Sequence, residues 1–599
     1  MNWKVFNKHF YILVFALLMM SCANRGVGPQ GGPKDTIPPV PLHSDPEMGA
    51  LEWKGKRIEV TFNEYLQLDN IANNLLMSPP SQTPPDVKAR GKRLVVQFPD
   101  TLRDSTTYTL DFGDAVCDYH EKVPLHGFSF YFSTGPEIDT LETTGIVYDA
   151  ETLNPLKGIL VGIHNNLSDT AFTTSTFLRI AKTDSAGFFR IGNIHPGTYR
   201  IYAVDDISRD YRLTIGEALA FTEETLSIQH RDTTDSTEAP LTTLFLFKEE
   251  KQRLYLQKTN REDQHRITIL FSAPADSLMT WRVLRPSELD SAKKDSAWID
   301  PTPHIYTQYS TKGDTVTLWL TDSVSISQDS LFFEARYRRT DSVYNLEWYT
   351  DTLSAVWRAP KLTAKARETL ERMNRNRRLE LKTNARRGFE IYDTLNLSCS
   401  TPLATIELDS FHVYERTESG NIPIPFTIAP YDTLPMKLQI LADFQPGHSY
   451  ELALDSAALH DVYGVSHIKG NYPLEVKTVA DYSTLRVKLN PFLENARIQV
   501  LSGQDKVLRE LPAVPEGAFF EYLKPDTYYL RLYIDEDGNG KWTTGSWEEK
   551  RQPEPIYYFP EKIQTKSNWD FDEEWNYQAK PRTQAKPKAL IKASSSKKK

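Results

Sequence analysis

Short stretches in which apolar and polar residues alternate make up most of the chain. In an early stretch, Ile58, Val60 and Phe62 alternate with polar neighbours, and residues 94–98 and 108–112 repeat this period of two. Such alternation is typical of antiparallel strands that bury one face and expose the other. Similar stretches recur along the chain and are separated by Pro, Asp and Ser. The pattern predicts an all-β protein, a tandem array of antiparallel β-sandwiches.

Breaks in the alternation divide the chain into domains. At 599 residues it is too long for one hydrophobic core, since a domain commonly holds ~150 residues. We expect β-sandwich domains at residues 38–136, 140–228, 243–357, 386–480 and 481–578.

Residues 360–385 interrupt the strand pattern with a basic segment. Leu362, Ala366, Leu370 and Met373 recur at spacings of four, four and three, which places them on one face of a helix. Thr363 is suited to cap its first turn. We therefore predict one short helical linker packed between sandwiches, with a basic partner-binding helix as the alternative.

Two internal repeats relate the ends of the chain to each other. A tyrosine-led strand at Tyr108 precedes Asp118, and a matching strand at Tyr450 precedes Asp461. The second repeat is tighter: residues 189–206 read FRIGNIHPGTYRIYAVDD and residues 520–537 read FEYLKPDTYYLRLYIDED. The domain at 386–480 is thus predicted to copy the first domain, and the domain at 481–578 to copy the second.

The N-terminus has the features of a secretory signal. Lys4 and Lys8 precede about a dozen apolar residues from Phe10, a run too short to span the ~30 Å hydrocarbon layer as a helix. Residues 18–22, LMMSC, resemble a bacterial lipobox. This resemblance implies a signal peptide at 1–21, acylation of Cys22 and attachment to membrane lipid, whereas an ordinary cleaved signal is the alternative. Residues 22–37 are rich in Gly and Pro and are expected to form a flexible tether.

Motifs within the first two domains resemble known families. Residues 31–135, with GGPKDTIPP, IEVTFNEYLQL, YTLDFGDAVCD and FYFSTG, resemble the bacterial Ig-like domain of S-layer type. Residues 140–228 resemble the carboxypeptidase regulatory-like (prealbumin-like) sandwich. The order of these domains behind a lipid anchor is similar to that of Bacteroidota-type lipoproteins, which implies an outer-membrane location on either face. The resemblance implies a structural or adhesive role.

Charge and cysteine content narrow the functional classes. The net charge is −9, and residues 579–599 are strongly basic, so the folded body is more acidic still. An acidic body argues against nucleic-acid binding. The basic tail has little apolar content and is predicted to be disordered. Besides Cys22, only Cys117 and Cys399 are present, which excludes a disulfide framework and suggests buried free thiols.

A polar loop in the last sandwich carries the candidate site. Asp535, Asp537 and Asn539 stand at positions 1, 3 and 5 of a loop with glycine at position 6, and Lys541 offers a carbonyl at position 7. This is the front half of an EF-hand-type calcium loop, but position 12 is Ser546 and not glutamate. A Ca²⁺ site and an ordinary polar hairpin turn both remain open.

The corresponding loop of the second domain has the opposite defect. It begins at Asp206 and has Glu217 at position 12, but Tyr211 stands where glycine is needed. Each copy therefore holds half of a calcium motif.

Catalytic motifs such as HExxH, GxSxG, a Walker loop or a CxxC pair do not occur in the sequence. We therefore predict a non-enzymatic, membrane-anchored scaffold of β-sandwiches for binding, adhesion or envelope organisation, with an unidentified protein or glycan partner. The alternative is an accessory carbohydrate-binding or hydrolytic protein, which requires paired carboxylates in a pocket of the central domain.

Overall fold

The computed structural model describes residues 35–81, 83–230, 241–250, 253–275, 278–289, 302–341, 344–358, 363–375, 377–430 and 436–592. The predicted signal peptide, Cys22 and most of the tether lie outside these residues. Strands dominate the described part, which confirms the all-β prediction. No helix within it is both long and apolar enough to cross a membrane.

The first sandwich pairs a sheet of order β1-β2-β6-β5 with a sheet of order β4-β7-β9, and β3 pairs with β8. Its strands are β1 (Pro41–Asp45), β2 (Arg57–Phe62), β3 (Leu66–Leu68), β4 (Leu76–Ser78), β5 (Asp86–Arg90), β6 (Arg93–Gln97), β7 (Thr107–Asp111), β8 (Val116–Asp118) and β9 (Ser129–Ser133). The predicted alternation is observed, because Ile58, Val60 and Phe62 all point into its core.

The second sandwich has sheets of order β13-β10-β17 and β12-β11-β14-β15, with β16 beside β14. Its strands are β10 (Leu141–Asp149), β11 (Leu160–His164), β12 (Arg179–Lys182), β13 (Phe188–Ile194), β14 (Gly197–Val204), β15 (Leu219–Phe221), β16 (Leu226–Ile228) and β17 (Thr242–Leu246). Strand β17 pairs in parallel with β10, so residues 243–246 belong to the second sandwich. From the sequence pattern, these residues are expected in the central domain. Parallel pairing needs a long connection, which alternation along the sequence does not reveal.

The central sandwich has sheets of order β18-β19-β22-β21 and β20-β23-β24. Its strands are β18 (Leu256–Arg261), β19 (Arg266–Phe271), β20 (Thr280–Val283), β21 (Ile305–Tyr309), β22 (Thr315–Leu320), β23 (Ser330–Thr340) and β24 (Leu346–Val356). This strand order matches that of the first sandwich without the β3–β8 pair. The central domain therefore repeats the strand order of the first sandwich, a relation that its sequence motifs did not reveal.

The fourth sandwich has sheets of order β25-β27-β32-β31 and β26-β35-β33-β29-β30, and β28 pairs with β34. Its strands are β25 (Leu381–Thr383), β26 (Arg387–Phe389), β27 (Leu395–Cys399), β28 (Leu403–Ile406), β29 (Phe411–Thr417), β30 (Gly420–Pro423), β31 (Phe426–Pro430), β32 (Lys437–Ala442), β33 (Ser449–Leu454), β34 (Leu459–Asp461) and β35 (Gly470–Val476). Apart from β26 and β30, this order matches the first sandwich. The hydroxyls of Tyr108 and Tyr450 each accept a hydrogen bond from the backbone N–H five residues earlier, at 2.8 Å.

The fifth sandwich has sheets of order β39-β36-β43 and β38-β37-β40-β41, with β42 beside β40. Its strands are β36 (Ser483–Leu489), β37 (Ala496–Leu501), β38 (Val507–Pro512), β39 (Ala518–Leu523), β40 (Thr527–Ile534), β41 (Ile556–Tyr558), β42 (Ile563–Gln564) and β43 (Asp570–Trp575). The order and the parallel pairing of first and last strands repeat those of the second sandwich. Tyr199 and Tyr528 each donate a hydrogen bond to the carbonyl four residues earlier, at 2.6 and 2.8 Å.

Helices are short apart from the linker. They are α1 (Ile71–Asn74), α2 (Ala171–Thr174), α3 (Pro286–Leu289), α4 (Ser323–Ser327), α5 (Ala364–Arg375) and α6 (Arg582–Ala585), with 3₁₀ turns at Thr302–His304, Leu408–Ser410, Val479–Asp481 and Lys588–Leu590. The predicted linker helix is α5, and Thr363 Oγ1 accepts a hydrogen bond from its Ala366 N–H at 3.3 Å. Leu370 and Met373 are 46% and 64% exposed, so the expected packing of the helix between sandwiches is wrong.

The C-terminal tail departs from its predicted disorder. Residues 579–592 are ordered against the second and fifth sandwiches, with Leu590 and Lys586 buried. Leu590 packs in one cluster with Leu153 and Tyr558, one residue from each sandwich. The composition of the tail gave no sign of this, because its order comes from a few buried residues among exposed polar ones. Residues 593–599 lie outside the described part.

Candidate metal centre and domain interface

The candidate loop begins where β40 ends. Asp535 is 9% exposed, its N–H donates to the Asn495 carbonyl at 2.8 Å, and its Oδ2 accepts from the Gly540 N–H at 3.0 Å. Gly538 and Gly540 have φ of 71° and 74°, the left-handed conformation that glycine adopts without strain. The other carboxylate oxygen, Oδ1, is buried and has no hydrogen-bond partner.

Asp537 lies at the exposed side of the loop. Its Oδ2 accepts from Thr543 Oγ1 at 2.8 Å and from Asn539 Nδ2 at 2.9 Å. The bond from Thr543 is the largest influence on the Asp537 pKa and lowers it, since it favours the charged form. Asn539 Oδ1 accepts from the Lys541 N–H at 2.7 Å. The structure thus brings Asp535 and Asp537 together, whereas the Asn539 side-chain amide makes its hydrogen bonds with other groups of the same loop.

Glu554, which the sequence reasoning missed, completes the acidic group. It is 3% exposed, and its Oε1 and Oε2 accept from the Glu536 and Thr543 N–H groups at 2.7 and 2.8 Å. Carboxylate oxygens of Asp535, Asp537 and Glu554 all lie within 4.8 Å of one another. Burial is the main cause that raises the Glu554 pKa. Glu554 supplies the carboxylate that is absent at position 12 of the motif. It lies at the far end of the wide loop formed by residues 535–554, so its distance from Asp535 along the sequence fits no calcium motif.

In the corresponding loop of the second sandwich, groups of the loop itself donate hydrogen bonds to the carboxylates. Asp206 Oδ1 accepts from Ser208 Oγ and from the Asp210 N–H, both at 3.2 Å, and Oδ2 accepts from the Tyr211 N–H at 3.2 Å. The buried Glu217 accepts from the N–H groups of Ser208 and Thr214. Both carboxylates are therefore satisfied, and this copy behaves as a polar turn.

The same wide loop joins the fifth sandwich to the second. The Trp547 ring lies edge-on to Phe172, Tyr202 and Phe221, with ring centroids 5.2, 5.7 and 5.2 Å apart. These residues belong to one hydrophobic cluster of the second sandwich. An aromatic side chain from one domain thus fills an aromatic pocket of another.

Polar contacts surround this aromatic contact. Thr544 Oγ1 donates to the Lys248 carbonyl at 2.9 Å, the Trp547 N–H donates to Glu249 at 2.6 Å, and Gln552 donates to the Phe221 carbonyl at 2.9 Å. A Cβ on Gly545 would lie 2.6 Å from the Phe247 ring, so glycine allows the close approach. The second and fifth sandwiches are therefore held together by direct contact, which a linear row of domains would not allow.

The ordered tail adds a buried ion pair to this interface. Lys586 Nζ lies 2.8 Å from Asp505 Oδ2 and donates to the Thr152 carbonyl at 2.6 Å and to Asn154 Oδ1 at 2.9 Å. Its side chain is 1% exposed, and burial lowers its pKa. Lys586 thus bridges the fifth sandwich to the second.

A second buried charge joins the fourth and fifth sandwiches. Glu390 is 4% exposed and contacts Lys477 Nζ and Lys524 Nζ, each at 2.9 Å, and Tyr482 Oη at 2.7 Å. Burial acts to raise the Glu390 pKa, but the hydrogen bonds from the two lysines and the tyrosine outweigh it and lower the pKa to about 2. The carboxylate stays charged at neutral pH and ties Lys524 of the fifth sandwich to the fourth.

We expect Glu390 to make this junction acid-sensitive. Because its pKa falls from 4.5 to about 2 on folding, its stabilisation is fully present above the unfolded value and is lost as pH falls from 4.5 towards 2. Hydrogen exchange of the full chain across this pH range should report the opening of residues 386–393. Glu390→Gln should remove most of that pH dependence, whereas the exposed Glu418→Gln should keep it. Equal pH dependence in all three proteins would contradict this role.

The Cys117 thiol and a pair of carboxylates in the central domain have the surroundings of structural groups. Cys117 is buried, and burial together with nearby carboxylates raises its thiol pKa, which suits a protonated core residue. In the central domain, Glu288 and Glu334 share Arg282, at 2.8 and 3.2 Å. Both carboxylates are ion-paired with the same guanidinium at the protein surface, which is typical of a structural contact.

The cavities described lie at domain junctions. One of about 700 Å³ lies between the second and fifth sandwiches and is lined by residues that include Glu224, Phe245 and Arg582. Another of about 560 Å³ lies between the first two sandwiches. A third, of about 360 Å³, is lined by Leu213 and Trp547 and by Tyr344 of the central domain.

Comparison with known proteins identifies one domain. Residues 35–134 match the family model described as a bacterial Ig-like domain, which agrees with the resemblance seen in the sequence. No curated protein matches the chain. The prealbumin-like assignment of the second and fifth sandwiches stays a prediction, because their shared strand order relates them only to each other.

Solved structures resemble the chain only distantly. The major pilin subunit BcpA of Bacillus cereus aligns at 9% identity with a TM-score of 0.14, covering 73% of this chain and 98% of the pilin. The S-layer protein SbsC aligns at 10% identity and a TM-score of 0.14, covering 85% and 67%. Native alpha-2-macroglobulin from Escherichia coli aligns at 10% and 0.16, covering 52% and 97%. Scores this low carry no conclusion about function.

Proposed function

We propose that this protein is a non-enzymatic, lipid-anchored scaffold of the bacterial outer membrane that presents a rigid set of β-sandwiches to a protein or glycan partner. The observation that carries the proposal is the fixed contact between the second and fifth sandwiches. A flexible spacer has no need for such contact, whereas a platform that holds several surfaces in a constant relation does. Buried ionic contacts at Glu390 and Lys586 support the same role.

Anchoring is proposed on the sequence of residues 18–22. Two or more acyl chains on Cys22 would bind the protein firmly to a bilayer, since each buried methylene contributes about 0.8 kcal/mol.

We expect Cys22→Ser to abolish acylation. Wild-type protein from cells fed an alkyne fatty acid should carry the label and enter the detergent phase on phase separation. The variant should carry no label and stay in the aqueous phase, because it lacks the thiol that forms the thioether. Cys117→Ser serves as the matched control and should behave as wild type. Label retained in the Cys22→Ser variant would refute the anchor.

Protease treatment of intact cells tests the presentation of the domains. If they face outward, the fifth sandwich is accessible in intact cells, and the partner is a host or environmental protein or glycan. If they face the periplasm, it is protected until lysis, and the partner belongs to the envelope. A soluble cytoplasmic fraction that holds all of the protein would overturn the proposal.

A further inference from the structure

The acidic group at the base of the 535–554 loop is not explained by a scaffold role. Asp535, Asp537 and Glu554 place three carboxylates within 4.8 Å of one another. Like charges at this distance repel one another, and in the described part of the chain no lysine or arginine forms an ion pair with any of the three. Such a group is stable when a cation lies between its members.

An independent observation points to the same conclusion. Asp535 is nine-tenths buried, yet its Oδ1 has no hydrogen-bond partner. A buried carboxylate oxygen without a donor is costly unless something else coordinates it. The contrast with Asp206 is direct, because both carboxylate oxygens of that residue accept hydrogen bonds. The two copies have the same strand order, but only the later one leaves a carboxylate oxygen open.

We propose that Asp535, Asp537 and Glu554 bind one Ca²⁺ ion, and that this ion fixes the loop that docks the fifth sandwich onto the second. The three donors are carboxylate oxygens, which Ca²⁺ prefers, and backbone carbonyls or water would complete its six to eight ligands. Mg²⁺ fits less well, since it is smaller, demands octahedral geometry and keeps its water.

The connection to the interface runs through Thr543. Its hydroxyl binds Asp537 and its N–H binds Glu554, so both carboxylates hold it. The next residue, Thr544, already contacts the second sandwich, and Trp547 follows three positions later. A cation that holds the carboxylates therefore also holds the start of the docking segment.

Calorimetric titration tests the site on the purified full chain after treatment with chelator and dialysis. With CaCl₂ we expect one site with a Kd of about 10⁻⁵–10⁻³ M, and with MgCl₂ at least ~10-fold weaker binding. Asp537→Asn should weaken calcium binding at least ~10-fold without unfolding the protein, because Asp537 lies on the surface. Glu554→Gln, which keeps one acceptor oxygen, should do the same. Asp206→Asn is the matched control and should leave the affinity unchanged.

Hydrogen exchange locates the ion independently of affinity. Calcium should slow exchange at residues 536–552 in wild type and in Asp206→Asn, but not in Asp537→Asn. No heat at millimolar calcium, or heat that Asp537→Asn and Glu554→Gln leave unchanged, would overturn the site. Binding without added protection at 544–552 would overturn its coupling to the interface. These results do not depend on acylation of Cys22, so they are separable from the proposed anchoring.

Discussion

Trp547→Ala should weaken the docking of the fifth sandwich onto the second while leaving both folded. The indole contacts three aromatic rings of the second sandwich, and truncation of a buried aromatic side chain typically costs about 3–5 kcal/mol. Trp547 is only partly buried, so we expect about 3 kcal/mol, or about a 100-fold larger open population. Hydrogen exchange should then increase at residues 171–174 and 219–221 on the facing domain.

Two matched variants separate docking from folding. Trp569→Ala removes an equally large ring from the same domain, but that ring is 56% exposed, so exchange at the interface should not change. Trp547→Phe keeps an aromatic ring in the pocket and should lose much less than alanine. If Trp547→Ala and Trp569→Ala gave the same exchange pattern, the docked arrangement of the two sandwiches would be refuted.

Local alternation predicted the strands well, because each half-buried strand must place apolar residues at every second position. The stretch from Ile58 to Phe62 forms part of β2, and its apolar residues are buried at every second position as the sequence indicates. Repeated motifs also predicted that the fifth sandwich copies the second, because the tyrosine hydrogen bonds of both depend on fixed local spacing. Features that rest on neighbouring residues were therefore accessible from sequence.

Features that depend on contacts between residues far apart in the chain could not be predicted from the sequence. Glu554 joins Asp535 across a wide loop, and β17 joins β10 after a long connection, so neither leaves a local pattern. The central sandwich shares the Ig-like strand order but lacks the tyrosine-led strand that marked the other copies. Composition alone predicts disorder for the basic tail, but it does not show that Lys586 is buried against the two sandwiches.

Lys586→Ala is the most severe single change we expect in the tail. It removes the cation that lies 2.8 Å from Asp505 Oδ2, and the two side chains are 1% and 2% exposed. Removing one partner of a buried pair typically costs about 3–5 kcal/mol, because the remaining charge is left uncompensated. The bridge from Lys586 to Thr152 and Asn154 is lost as well. Residues 579–592 should therefore detach and become sensitive to protease in the full chain.

Two further variants test whether the tail detaches because a buried charge is left on Asp505 or because a lysine side chain has been shortened. Lys588→Ala removes an exposed lysine two residues away and should leave the tail protected. Adding Asp505→Asn to Lys586→Ala removes the uncompensated charge, while Tyr558 can still donate a hydrogen bond to the side chain at position 505. The double variant should therefore recover part of the stability that the single variant loses. If the second substitution made the tail still more labile, the loss would arise from Lys586 packing and its contacts to the second sandwich, and not from a charge left buried.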